Sequence, residues 1–262
     1  MEKVKSLDGT SIAFERVGQG PALVLIGGAF CDHRARAAGL PLAASLSQHF
    51  SVFCYDRRGR GESGDGASYA VAREVEDLSA LIAAAGGSAH VYGHSSGAVL
   101  AIEGAVAGLP INKLALYEPP IVLAEDREPL PSDLVERLSE LSQQDKRSEA
   151  AELFLTRAVA VPAQAIAHMK SSPVWPALEA LAHTLSYDAR LAQDPTAVIA
   201  RARLVKQTAL VIDGERSPAW MRAGVAKLAA ALPGARQLSM AGQTHDVDAQ
   251  LLAQLLLDYF AG

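Results

Sequence analysis

Residues 91–100 read Val-Tyr-Gly-His-Ser-Ser-Gly-Ala-Val-Leu. An apolar, strand-forming run reaches a glycine, turns on a serine and restarts as small and apolar residues suited to a buried helix. Only Gly93 to Gly97 are available for the change of direction, so Ser95 must stand on a very tight bend. Glycines on either side remove the Cβ atoms that would collide there, and the bend lifts the serine hydroxyl above the end of the strand. The amide of Ser96 then lies at a helix N-terminus, where unpaired N–H groups and the helix dipole can stabilise a developing oxyanion. A glycine-rich turn with an incidental serine would match the same pattern. The strand before it and the helix after it favour the chemical reading.

At 262 residues the chain fits one large α/β domain with room for an inserted subdomain. A net charge of −5, with no face rich in lysine and arginine, argues against nucleic acid as a partner. The two cysteines, Cys31 and Cys54, lack metal-ligand or framework spacing, so neither a zinc site nor disulfides are expected. Met1-Glu2-Lys3-Val4-Lys5 is not followed by an apolar core of the kind a secretory leader needs, and no apolar run is long enough to span a bilayer. A cytoplasmic protein that neither binds a membrane nor uses a cofactor, acting on a small molecule as a monomer or homodimer, is the expectation.

In chain order, Lys3–Lys5 and Ser11–Arg16 flank the turn signal Asp8-Gly9, which predicts an antiparallel hairpin. Ala22–Ile26 is apolar on both faces, as a central strand covered by helices should be, and it runs into Gly27-Gly28-Ala29-Phe30. Two glycines at the carboxyl end of a buried strand allow close backbone approach, and the Ala29 N–H becomes a second candidate oxyanion donor beside Ser96 N–H. Asp32 and His33 follow, either reaching the same cleft or forming a surface turn. A helix over 37–49 and a strand over Ser51–Tyr55 lead to Asp56-Arg57-Arg58-Gly59-Arg60-Gly61-Glu62-Ser63. This loop lacks the lysine and hydroxyl pair of a P-loop, so a structural loop held by hydrogen bonds is expected. A helix over 70–85, the elbow, and a strand over Lys113–Tyr117 ending in Glu118 continue an alternation typical of a parallel sheet wound with helices on both faces.

From 121 to 203 the strand signal disappears. A helical insertion broken by prolines is expected there, dividing the chain into a core of 1–120 and 204–262 and a lid of 121–203. Phe30, His94, Trp175, His183 and Tyr187 are candidates to line a pocket under such a lid, although packing within the lid is the commoner role for aromatic residues. The sheet resumes at Thr208–Ile212 and Arg236–Met240, with helices over 219–232 and 249–260. A free serine hydroxyl is a poor nucleophile near neutral pH and needs a base. His245, on a loop after the last strand, is the natural one.

Together, Gly27-Gly28, the loop Asp56–Ser63, Gly93-His94-Ser95-Ser96-Gly97 and Gly242-Gln243-Thr244-His245 resemble the α/β-hydrolase fold superfamily over nearly the whole chain. The resemblance implies a mostly parallel sheet of about eight strands flanked by helices, with a helical lid insertion. It also implies a serine hydrolase with a catalytic triad and an oxyanion hole. Relatives often place an aspartate three residues after the glycine that ends the penultimate strand, and here that position is Ser217. Glu118, ending the strand after the elbow helix, is the first candidate for the missing acid; Asp213 and Glu215 are the alternatives. The implied reaction is carboxylic ester hydrolysis, on an ester, thioester or lactone of a small apolar molecule. Carbon–carbon bond hydrolysis, haloperoxidase-like perhydrolysis and non-hydrolytic cyclase or lyase chemistry use the same scaffold. A catalytically decayed ligand-binding protein would be the non-enzymatic outcome.

Overall fold

The apolar runs pair into a single eight-stranded sheet in the computed structural model, which describes residues 1–123 and 125–262. The strands are β1 (Glu2–Lys5), β2 (Ser11–Val17), β3 (Ala22–Ile26), β4 (Ser51–Tyr55), β5 (Ala89–His94), β6 (Ile111–Tyr117), β7 (Thr208–Gly214) and β8 (Arg236–Met240). Their order is β1-β2-β4-β3-β5-β6-β7-β8. The hairpin signal at Asp8-Gly9 gives the antiparallel β1 and β2, and β2 also runs antiparallel to β4; every pairing from β4 onward is parallel.

Eleven α-helices lie among the described residues: α1 (Leu40–Leu46), α2 (Val71–Ala84), α3 (Ser96–Val106), α4 (Leu134–Gln143), α5 (Arg147–Phe154), α6 (Ala163–Lys170), α7 (Val174–Leu181), α8 (Leu185–Ala192), α9 (Pro195–Ala202), α10 (Ala219–Ala231) and α11 (Ala249–Ala261). The helix expected over 37–49 is confined to α1. Gly39 and Pro41 start it late, and the preceding residues form a turn closed by Leu40 N–H donating to His33 O.

Strand residues alternate between two apolar layers, which is the period of two that a doubly covered sheet requires. Val24, Ile26 and Val91 pack with α2, α3, α9 and α10 on one face. Leu23, Leu25 and Tyr92 pack with α1 and α11 on the other. Between β6 and β7 the chain is helical, and Leu134, Phe154, Trp175 and Leu185 from α4, α5, α7 and α8 close a third cluster of their own. Phe30 packs against that cluster from the β3 side.

The chain leaves β3 in one direction for β4 and later places β5 on its other flank. Crevices form where strand order reverses in this way, outside the carboxyl ends of the two strands. Ile26 stands beside Gly93 in the parallel register, which brings Gly27–Phe30 next to Ser95 at that point.

Candidate active site

Ser95 adopts φ 57° and ψ −125°, a conformation costing about 1–3 kcal/mol for a residue with a side chain. Tight neighbours hold it there. A Cβ on Gly93 would come within 2.5 Å of Ala98 Cα, and one on Gly97 would collide with Ile26 O. Ser95 N–H donates to Tyr117 O at 2.8 Å, so β6 anchors the bend. Gly28 approaches from β3 so closely that a Cβ there would lie 2.7 Å from Ser95 Cβ. Ala29 and Ser96 line the same cavity as Ser95, and among the described residues neither amide has a backbone acceptor.

Glu118 is fully buried and, at φ 44°, likewise occupies the left-handed region. Its carboxylate has two partners. Oε1 accepts from Gly214 N–H at 2.8 Å, and Oε2 lies 2.7 Å from His245 Nδ1. A Cβ on Gly214 would strike the backbone of Gln243, so the absence of a side chain lets the end of β7 and the histidine loop converge on this carboxylate.

Further contacts hold that loop at its carbonyls. Tyr117 Oη donates to Thr244 O at 2.7 Å, and His94 Nε2 lies 3.0 Å from His245 O. Burial, reinforced by the neighbouring His245, holds His94 down to about 3, so its ring is neutral and Nε2–H is the donor. Because an unfolded histidine takes up a proton near pH 6.5, acidification draws the chain toward the unfolded state. Stability is therefore present above pH 6.5 and is lost progressively as pH falls from 6.5 toward 3. At pH 5 the loss expected from His94 is roughly 2 kcal/mol. His90, also lowered by burial, acts with the same sign. The share of His94 is read as the difference between wild type and His94→Asn in urea melts at pH 7 and pH 5: the variant should lose less stability on acidification.

Ser95 and His245 line one cavity of about 230 Å³ together with Glu118, Ser96 and Ala29. Among the described residues no hydrogen bond joins Ser95 Oγ to His245, whose side chain is about a third exposed. Catalytic hydrogen bonds often close only when substrate is bound. Apart from His94 and Asp188 the remaining wall is largely apolar, with Phe30, Val122, Leu130, Phe154, Val159 and Met221 among its residues, and no lysine or arginine lines it among the described residues.

Several candidate residues lie elsewhere. Trp175 is buried in the insertion's own cluster, with Nε1 donating to Ser148 and Glu179, rather than in the cavity wall. His183 Nε2 contacts Gly59 O at 2.6 Å, and Tyr187 stacks on Tyr69 while its hydroxyl donates to Asp65. These three are corrected from pocket residues to packing residues, because none of them lines the cavity that holds Ser95 and each contacts other parts of the protein instead. Phe30 and His94 do line the cavity. Asp213 accepts from Ser239 Oγ and Glu215 accepts from Gly242 N–H, so neither alternative acid is bonded to His245. Ser217, at the position relatives give to an aspartate, is buried.

The loop Asp56–Ser63 is structural in a way its composition did not reveal. Arg57, Arg58 and Arg60 are all buried. Arg58 pairs with Asp77 and Asp8, and Arg57 with Glu74 and Asp188. Asp188 also takes Arg60, and burial, which opposes its ionisation, is outweighed by the two guanidiniums, so its carboxyl is held below the usual range. Among the described residues no cluster of three or more candidate ligands could hold a metal ion, and no helix is long and apolar enough to cross a membrane.

Comparison with known proteins agrees with this architecture. The chain is 47% identical to an alpha/beta hydrolase from Sphaerobacter thermophilus DSM 20745, with a TM-score of 0.91 covering 99% of this chain and all of the other. It shares the fold of the enol-lactonase from Burkholderia xenovorans LB400, with a TM-score of 0.75 at 23% identity over 99% of this chain and 100% of that one. A 108-residue stretch is 37% identical to N-formylmaleamate deformylase of Pseudomonas putida KT2440. That stretch is 40% of this chain and spans only 39% of the deformylase. The model of the alpha/beta hydrolase family matches residues 23–254, nine-tenths of the sequence. With the fold, the strained serine bend and the histidine loop already in place, that match assigns the chain to the alpha/beta hydrolase family.

Proposed function

We propose that the protein is a serine hydrolase that cleaves an ester, thioester or lactone of a small apolar molecule through an acyl-enzyme on Ser95. The observation that carries this reading is the buried Glu118 carboxylate 2.7 Å from His245 Nδ1, in a cavity whose wall also holds the strained Ser95. With Nδ1–H donated to Glu118, His245 presents an unprotonated Nε2 toward the cavity, the tautomer a general base requires.

Ser95 Oγ attacks the substrate carbonyl carbon and its proton passes to His245 Nε2. Carbonyl electrons move onto oxygen, and the Ala29 and Ser96 N–H groups receive that oxyanion. As the tetrahedral species collapses, His245 returns the proton to the departing oxygen or sulfur, leaving Ser95 acylated. Water repeats the sequence with His245 as base, releases the carboxylic acid and restores the serine. The Glu118 carboxylate, bonded to Nδ1, stabilises the transient imidazolium.

The apolar wall and its lack of a cationic side chain support an uncharged acyl group. The helical insertion supplies Leu130, Phe154 and Val159 to that wall and is proposed as the lid. A series of p-nitrophenyl esters tests the assignment. Turnover should peak at short or medium acyl chains, and a terminal carboxylate on the acyl group should lower kcat/KM at least tenfold, because the site offers that charge no partner. Equal turnover of neutral and carboxylated acyl groups would contradict the apolar substrate class.

A further inference from the structure

Two of the three buried arginines of the loop after β4, Arg57 and Arg60, are not needed to explain the Ser95, His245 and Glu118 arrangement, yet they converge on its oxyanion side. Arg60 Nη1 donates to Gly28 O at 2.6 Å and to Cys31 O at 3.3 Å. Its Nη2 reaches Asp188 Oδ2 at 2.6 Å and its Nε reaches Thr184 Oγ1 at 3.0 Å. Arg57 Nη1 reaches Asp188 Oδ1 at 2.7 Å and Gly27 O at 3.3 Å. Ser96 Oγ donates to the same Asp188 Oδ1 at 2.6 Å. Asp188 belongs to α8 in the insertion, whereas every other partner except Thr184 belongs to the sheet core.

We propose that Arg60 and Asp188 are positioning residues of the oxyanion hole, acting through the Gly28–Ala29 peptide rather than on substrate. The inference rests on the serine hydrolase reading above. The carbonyl that Arg60 grips and the N–H assigned to the oxyanion belong to one peptide unit. In a trans peptide the C=O and N–H point in opposite directions, so a guanidinium fixed on Gly28 O directs Ala29 N–H the other way. A cationic donor on the carbonyl also draws electron density through the amide, which makes the N–H a stronger donor in a dry site.

Asp188 completes the device from the other side. Its two oxygens hold Arg57 and Arg60 in register, and its contact with Ser96 Oγ ties down the residue that carries the second donor. Charge is balanced across the group, with Arg57 and Arg60 facing Glu74 and Asp188. A clamp needed only for folding could use neutral donors; full charges placed on the carbonyls beside the reacting centre serve an anion that exists only during turnover. Because Asp188 comes from the insertion, seating of that element and strength of the oxyanion hole become one event.

The test compares Arg60→Gln with the paired Arg60→Gln/Asp188→Asn, which removes one charge of each sign and so keeps the buried group balanced. Two readouts separate positioning from fold maintenance: kcat against KM for p-nitrophenyl butyrate, and inhibition by butylboronic acid, whose serine adduct is a tetrahedral anion. Both variants should lose 10- to 100-fold in kcat and, in parallel, in boronate affinity, with KM within about twofold. Arg60→Lys, which keeps the charge but not the planar fork, should fall between. A folded variant whose kcat and boronate affinity stay within twofold of wild type would overturn the inference, as would a rise in KM alone. Failure of the hydrolase reading would look different: wild type itself would be insensitive to butylboronic acid and inert toward the ester.

Discussion

Ser95→Ala is expected to lower kcat by roughly 10⁴- to 10⁶-fold while leaving the folded structure in place. The Ser95 hydroxyl is the only group lost. Alanine keeps the Cβ, so the strain at φ 57° is unchanged, and the bend remains held by Tyr117 O and by the close packing of Gly93 and Gly97. Near-UV circular dichroism and Tm should therefore match wild type. Residues acting as one unit are far from additive, so Ser95→Ala/His245→Ala should be scarcely slower than Ser95→Ala alone. Steady-state turnover of a p-nitrophenyl ester with the three proteins measures this. A variant that retains even a tenth of wild-type turnover would place the nucleophile elsewhere.

Glu118→Gln should cost on the order of 10³- to 10⁴-fold in kcat. Glutamine fills the same volume, and its carbonyl oxygen can still accept from Gly214 N–H, which Glu118 Oε1 does at 2.8 Å. Its amide group would then face His245 Nδ1 with a donor where the carboxylate accepts at 2.7 Å. The imidazole would adopt the opposite tautomer, with the proton on Nε2 and no lone pair for the serine hydroxyl, and the imidazolium would lose its counter-charge. Asp213→Asn is the control, because Asp213 is bonded to Ser239 rather than to His245, and its turnover should stay within a few fold of wild type. If Glu118→Gln turned over normally while Ser95→Ala did not, the orienting acid would be another group.

Much of this arrangement can be read from residue order, for identifiable reasons. Ala22–Ile26 and Ser51–Tyr55 are strands over the same residues that their apolar character and turn signals mark out, and Arg236–Met240 is the last strand over the residues expected. The elbow is legible because steric exclusion at a tight bend leaves few residue choices. Glu118 is legible by position: it ends the strand beside the elbow, and parallel register carries it to the edge that the histidine loop must share. The cavity wall was harder to foresee. Trp175 and Tyr187 face inward or stack locally because of how α7 and α8 roll against their neighbours, and a helical period gives a face without naming its partner. The arginine network is illegible for a related reason. Arg60 meets Asp188 across 128 positions of chain, and an arginine in a loop is ordinarily exposed until such a partner exists.

Covalent labelling of the intact protein with a fluorophosphonate, read by mass spectrometry and peptide mapping, tests the nucleophile most directly. One adduct on Ser95 is expected in wild type, absent from Ser95→Ala and much slower to form in His245→Ala. No adduct on the wild-type protein, or an adduct that persists at another residue when Ser95 is replaced, would contradict the assignment.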